Sequence, residues 1–404
     1  MTPEIKHRIG QIRRGEVPEG YVKKRKVVIP QQWGLPQIKD IASISSGSTP
    51  NRNNSEYWNG NIAWVTTGEL SSGHVNHTSE LITVKAVKET KMRIYPQGTL
   101  LMAMYGQGKT RDTVAILEID AAVNQACAAI TVKDGKSKFL FYQLKNSYQD
   151  IRKLSNTGNQ ENLNADIIKT YQVPWAPDEE QERISTILTT QDKVIELKEK
   201  QLTGKQRQKK YLMQQLLTGK KRLPGFAFEV EKTNIKAIST YSVSTISQTM
   251  LESYEGKQLY PVFNANSIAG HVDFYENECP YISIIKDGAG IGRVRLCEAK
   301  SSTIGTMGCI HARKGISIIF LYYLLEQVDF NKYSNGSTIP HLYYKDYSCE
   351  KVRIPDIKEQ AAIAEVLSTA DREIELLQQD IEQEKQKKKA LMQLLLMGIV
   401  RVKI

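Results

Sequence analysis

The run from Glu180 to Arg222, EQERISTILTTQDKVIELKEKQLTGKQRQKKYLMQQLLTGKKR, occurs twice in this chain. Its second copy, Glu359 to Arg401, aligns without a gap at a constant offset of 179 residues. Glu180-Gln181 falls on Glu359-Gln360, Asp192 on Asp371, Ile195-Glu196-Leu197 on Ile374-Glu375-Leu376, and Leu212-Met213-Gln214 on Leu391-Met392-Gln393. Apolar residues recur at multiples of seven in both copies: Leu188, Ile195, Leu202 and Leu216 in the first, Leu367, Ile374, Ile381 and Leu395 in the second. That spacing is the seam of a coiled coil, and an ungapped repeat of it makes the chain an internal duplication. A lysine interrupts each seam at the same place, Lys209 and Lys388. Each run stops at a glycine, Gly219 and Gly398, as helix C-termini prefer.

The stretches between the helices read differently. From about residue 35 the chain is a series of short apolar runs broken by Gly, Asn and Ser clusters, with one clear helical segment over 139–154, which predicts strand-rich globular structure. A second such stretch, about 223–355, resembles the first. Ile38-Lys39 falls on Ile235-Lys236 and Gly73-His74-Val75 on Gly270-His271-Val272 at an offset of 197, whereas Ser155-Asn156 falls on Ser334-Asn335 at 179. The second copy is therefore expected to have lost about 18 residues between these two matches, the fall in offset from 197 to 179.

The expected architecture is α+β: two strand-rich domains, 35–177 and 223–355, separated by two long antiparallel coiled-coil helices, 178–222 and 356–404, with a pseudo-two-fold axis. A basic leader, residues 1–34, is expected to pack on the first domain or the distal coil. Each helical run at ~1.5 Å per residue gives a rod of roughly 60 Å, about 18 base pairs of duplex.

Composition narrows the function. A net charge of +11 over 404 residues makes a polyanion the first partner to consider. No apolar stretch approaches a membrane span, and the N-terminus lacks the apolar core of a signal peptide, so a cytoplasmic protein is expected. Cys127, Cys279, Cys297, Cys309 and Cys349 have no zinc-binding spacing, which predicts free thiols, no disulfide and no zinc. His74 and His77 sit three apart with no further ligand nearby.

Two glycine-rich stretches could carry nucleotide chemistry. Ala103 to Thr110 fits a relaxed phosphate loop, with Lys109 as its lysine, but the residues after it read as a strand, whereas a phosphate loop must open a helix. Gly288-Ala-Gly290-Ile-Gly292 has the wrong spacing for a dinucleotide fold. Both read as hairpin turns, and no nucleophile, methyltransferase or nuclease signature is visible. The chain is expected to be non-catalytic, with an ATPase through Lys109 as a remaining alternative.

Amide-rich loops precede each coil: Asn156 to Asn162, and Ser334 to His341. Amide side chains can read adenine, while Lys and Arg read guanine or phosphate. The candidate DNA-contacting residues are Lys109, Arg111, Asn124, Gln125, Asn159, Gln160 and Asn162 in the first half, and Lys286, Arg293, Thr306, Asn335, Ser337, His341 and Lys345 in the second.

With both repeats placed, the chain resembles the specificity subunits of type I restriction–modification systems over nearly its full length. The resemblance is carried by Gly47-Ser-Thr-Pro50, Glu56-Tyr-Trp-Asn-Gly60, Ile62-Ala-Trp-Val-Thr66, Asn124-Gln125-Ala126, Pro261-Val-Phe-Asn-Ala265-Asn266 and the paired Glu-Gln…Leu-Met-Gln coils. It implies that each globule is a target-recognition domain for one half of a split double-stranded DNA site. It also implies that the coils set the spacer and bind two methyltransferase subunits, with restriction subunits completing the assembly. S-adenosylmethionine, ATP and Mg would belong to those partners. From another class, a basic coiled-coil adaptor for acidic proteins would give the same charge and helices but indifference to DNA sequence.

Overall fold

A computed structural model of the chain describes residues 2–105, 113–134, 136–154, 163–227, 231–288, 290–336 and 339–402. By its internal contacts the chain forms two compact units, residues 1–197 with 381–404, and residues 198–380.

The first unit opens with α1 (Pro3–Arg13) and a hairpin, β1 (Tyr21–Lys24) with β2 (Val27–Pro30). It continues through α2 (Ile38–Ile41), β3 (Ala42–Ser46), β4 (Trp58–Val65), β5 (His74–Val75), β6 (Glu80–Ile82) and α3 (Val84–Thr90). Then come β7 (Leu100–Ala103), β8 (Val114–Leu117), β9 (Ala121–Val123), β10 (Cys127–Val132), α4 (Ser137–Arg152), α5 (Ala165–Thr170) and the first half, to residue 197, of α6 (Asp178–Leu216). The strands make a five-stranded sheet in the order β3-β10-β7-β8-β5 and a three-stranded sheet, β6-β4-β9. The inner strands β7, β8 and β10 are apolar except for Thr131 because both faces are covered, and their period of two sorts side chains between two cores. Leu100, Met102, Val114, Ile116, Ala128 and Ile130 face a core shared with α4, whereas Leu101, Ala103, Ala115, Leu117, Cys127 and Ala129 face the smaller sheet.

The second unit repeats this plan. It comprises β11 (Glu231–Asn234), α7 (Ile235–Ile238), β12 (Ser239–Val243), α8 (Gln248–Glu252), β13 (Tyr260–Phe263), β14 (Ile268–Val272), β15 (Tyr281–Ile285), β16 (Val294–Cys297), β17 (Ser302–Thr303) and β18 (Met307–Ala312). There follow α9 (Ile318–Glu326), β19 (Ser334–Asn335), β20 (His341–Leu342), α10 (Tyr344–Tyr347), β21 (Lys351–Ile354) and the part to residue 380 of α11 (Ile357–Leu396). Its larger sheets are β12-β18-β15-β16 and β14-β13-β17, the latter with the same antiparallel and parallel pairings as β6-β4-β9.

One expectation is corrected here. Gly73-His74-Val75 and Gly270-His271-Val272 are not equivalent: His74 and Val75 form β5, parallel to β8, whereas Gly270 to Val272 lie in β14, the counterpart of β6. The second copy is shortened on both sides of β14. Residues 66–79 between β4 and β6 are reduced to the turn 264–267, and 83–99 to 273–280. A three-residue identity without a hydrogen-bond register does not fix strand equivalence.

Each unit holds one half of each long helix, and within each unit the halves pair antiparallel. In the first, Arg401 meets Glu180, Lys388 meets Asp192, and Gln191 Nε2 donates to Glu384 at 2.7 Å. In the second, Lys198 meets Asp380 at 2.7 Å, Lys205 meets Glu373 at 2.6 Å and Lys209 meets Asp371 at 2.7 Å. The apolar seam residues Leu188 and Leu395 are buried in the first core, Leu216 and Leu367 in the second. Ile195 and Ile381 are also buried, and Leu202 and Ile374 half-buried. A fully buried leucine is worth about 2 kcal/mol of transfer free energy.

The interrupting lysines take a polar role. Asp192 accepts from Lys388 and from the Tyr142 hydroxyl (2.8 Å); Asp371 accepts from Lys209 and from the Tyr323 hydroxyl (2.7 Å). Burial, and then the neighbouring aspartate, push both tyrosine phenols up, so they remain protonated donors.

The leader packs at the end of α11. The Tyr21 hydroxyl donates to Gly398 O at 2.7 Å, Arg8 Nη1 to Ile399 O at 2.6 Å, and Trp33 joins the first core.

Cys127, Cys297 and Cys309 are buried, Cys279 and Cys349 exposed. Burial pushes the Cys127 thiol up to about 12 and Cys309 up to about 11. Iodoacetamide at pH 8 is expected to alkylate Cys279 and Cys349 in the folded protein and the other three only after denaturation, as read by peptide mass spectrometry. Native-state labelling of Cys127 would contradict this packing.

Candidate nucleic-acid interface

The same two backbone hydrogen bonds draw three loops together in each domain. In the first, Met104 N donates to Ala126 O (2.8 Å) and Leu163 N to Met104 O (3.0 Å). In the second, Lys286 N donates to Thr306 O (3.2 Å) and Leu342 N to Lys286 O (2.8 Å). The end of one hairpin strand, the turn into the next sheet strand and the end of the loop ahead of each long helix thus meet at one place per domain.

Lys109, Arg111, Asn159, Gln160, Asn162 and Ser337 lie outside the described residues. The strands flanking the first two, β7 and β8, are antiparallel partners, with β8 a strand where a phosphate loop requires a helix. Asn124 and Gln125 occupy the turn before β10. The Asn124 side chain accepts from Ala126 N at 3.1 Å, and Gln125 accepts from the Thr49 hydroxyl. Gly47 belongs to the same corner: a Cβ there would sit 1.7 Å from Val123 O, so only glycine allows the approach.

In the second domain Lys286 and His341 both meet Asp287, while Thr306 O accepts from Lys286 N. Lys286 Nζ meets Asp287 Oδ2 at 2.5 Å and His341 Nδ1 meets Oδ1 at 2.8 Å. Burial opposes ionisation of Asp287, but the hydrogen bonds from Lys286 and His341 outweigh it and hold the carboxyl below its usual range. Asn335 Nδ2 donates to Asp346 at 3.2 Å, and Lys345 Nζ lies 5.5 Å from the Tyr343 ring centroid. Arg293 Nη2 donates to Ala265 O and Asn266 Oδ1, both at 2.8 Å. No sequence motif marks Arg295, whose guanidinium carbon lies 4.5 Å over the Phe263 ring centroid, or Arg52, paired with Glu80 and 4.2 Å over the Trp58 ring centroid. Neither an arginine inside a strand, as Arg295 is in β16, nor one in a turn, as Arg52 is, carries a local functional signal.

Residues 30–204 and 227–386 each match the family profile of the type I restriction modification DNA specificity domain. The chain belongs to the type I DNA-specificity family. Its two matched segments each contain one of the strand-rich domains and much of the following helix.

Among curated relatives, the Type I restriction enzyme MjaIX specificity subunit of Methanocaldococcus jannaschii is 34% identical over 179 residues, 43% of this chain and 41% of that protein. The Type I restriction enzyme EcoprrI specificity subunit of Escherichia coli is 24% identical over 377 residues, 87% of this chain and 90% of that one. In fold, the chain is similar to the crystal structure of a type I restriction–modification S subunit from M. genitalium, with a TM-score of 0.61 at 15% identity over 93% of this chain and 98% of that one. Among the described residues no helix is long and apolar enough to cross a membrane, and no cluster of His, Cys, Asp and Glu suits a metal ion.

Proposed function

We propose that this specificity subunit reads a bipartite double-stranded DNA site, one half with each strand-rich domain, while α6 and α11 set the spacer and carry two methyltransferase subunits. The observation that carries the reading is the duplicated three-loop convergence, built on the same hydrogen bonds in both domains but from different side chains. A common frame with divergent loops suits two half-sites of different sequence. The chain itself is the non-catalytic member. Methyl transfer from S-adenosylmethionine and ATP- and Mg-dependent restriction would reside in the partner subunits, and the working compartment would be the cytoplasm.

The test is a map of methylated sites produced by the chain assembled with its methyltransferase partners. Replacing Asn159 and Gln160 together with alanine is expected to relax one half-site by about 1–3 kcal/mol per lost bidentate contact and to leave the other half-site intact. Equal loss at both halves, or none at either, would overturn the assignment of one domain to each half.

A further inference from the structure

The second domain contains a cavity of about 280 Å³ between the β13–β14 turn, β15 and the start of β16. Its wall carries Arg293 and Arg295, Asn264 and Asn266, and the apolar Ile285 and Met307; among the described residues no acidic one lines it. Arginine is normally offset on a protein surface, as Arg52 is by Glu80 in the first domain. Two guanidinium groups without a lining carboxylate make a site suited to an acceptor-rich ligand.

The site exists because the second domain is shortened. In the first domain residues 66–79 carry β5, which pairs along β8, and the strand position facing Leu101 is the buried Ala115. In the second, the connection is the turn 264–267, β16 is the edge of its sheet, and the position facing Ser283 is the exposed Arg295. The turn is held rigidly: Asn264 Oδ1 accepts from Asn266 N (2.9 Å) and Ser267 N (2.8 Å), and Arg293 ties down Ala265 O and Asn266. Arg295 holds its guanidinium carbon 4.5 Å over the centroid of the Phe263 ring, which is 4% exposed and so a fixed platform. An aromatic ring under a guanidinium accepts none of its N–H groups in a conventional hydrogen bond, so these donors stay available to a ligand.

We infer that this cavity is the guanine-reading pocket of the second domain, with Arg295 donating to the O6 and N7 edge of one guanine and Arg293 acting as the positioning residue that fixes the turn. The inference rests on the DNA-reading function proposed above. Guanine fits because its major-groove edge offers two acceptors at the spacing of a guanidinium fork, and the side-chain acceptor of Asn266, which could have served another base, is occupied by Arg293. A backbone phosphate offers acceptors too, but carries no sequence preference.

The experiment uses the full chain assembled with its methyltransferase subunits, with methylated sites mapped by sequencing and binding measured on randomised duplexes at several salt concentrations. Arg295→Ala is expected to lower the preference for guanine at one position of one half-site about 10- to 100-fold, leaving the other half-site and the salt slope unchanged. Arg295→Gln is expected to move that position toward adenine, a gain that misfolding cannot produce. Unaltered discrimination at every position overturns the inference. So does a loss common to all duplexes with a salt slope shallower by about one, which would make Arg295 a phosphate contact. A wild-type complex that yields no bipartite motif at all would instead overturn the underlying DNA-reading function.

Discussion

Arg401→Ala is expected to destabilise the first unit by about 3 kcal/mol, the range for breaking one side of a buried ion pair. Glu180 is fully buried, and its carboxylate accepts from Arg401 Nε (2.7 Å), Arg401 Nη2 (2.9 Å) and Trp33 Nε1 (2.8 Å). Without Arg401 a buried charge is left, among the described residues, with the indole donor of Trp33. Adding Glu180→Gln to the variant should recover more than half of the loss, because the amide oxygen can still accept from Trp33 while no charge remains to be desolvated. Urea unfolding followed by circular dichroism and by Trp fluorescence measures both variants. A double variant no more stable than the single would show that the cost lies in lost packing of the arginine stem rather than in the orphaned carboxylate. The second unit repeats the pair as Arg222 with Glu359, whose carboxylate is 1% exposed. Among the described residues no indole reaches Glu359, so Arg222→Ala is expected to lower the urea midpoint at least as far.

One heptad inserted after Gln201 and another after Asp380 are expected to lengthen the non-specific spacer of the DNA site by about three base pairs, with both half-sites unchanged. Helices α6 and α11 run unbroken for 39 and 40 residues. Their ion pairs move in opposite directions along the two helices, Lys198 with Asp380, Lys205 with Glu373 and Lys209 with Asp371. Seven residues in both helices keep this register and add about 10 Å at ~1.5 Å per residue, roughly three steps of duplex. An insertion in one helix alone should break the pairing and lower the melting temperature. The readout is the methylation map of the assembled complex. An active double-insertion variant that keeps its original spacer would show that the helices are not the ruler, and altered half-sites would show that they are not independent of the reading domains.

The duplicated helices were legible because a heptad pattern is local: Leu188 and Leu367 announce their burial through residues three to seven positions away. The polar partners of Lys209 and Lys388 were not, since Asp371 and Asp192 lie on the other helix and Tyr323 and Tyr142 on α9 and α4. The candidate interface was legible in part. The loops ahead of the helices stood out by composition and by repeat position. Arg295 did not, because its significance depends on β16 being an edge strand, and that depends on the short 264–267 connection supplying no counterpart of β5.

Duplication, helical seam and family are all written along the chain, since each is a pattern that needs no knowledge of what packs where. Tertiary structure alone decided which strands correspond. Gly73-His74-Val75 and Gly270-His271-Val272 share letters but lie in different sheets, because strand identity is set by hydrogen-bond partners such as Ile116 for His74 and Tyr260 for Val272. It also decided where the loops meet: Lys286, Thr306 and Leu342 are far apart in sequence, and two backbone hydrogen bonds, which no side-chain pattern encodes, bring them to one point.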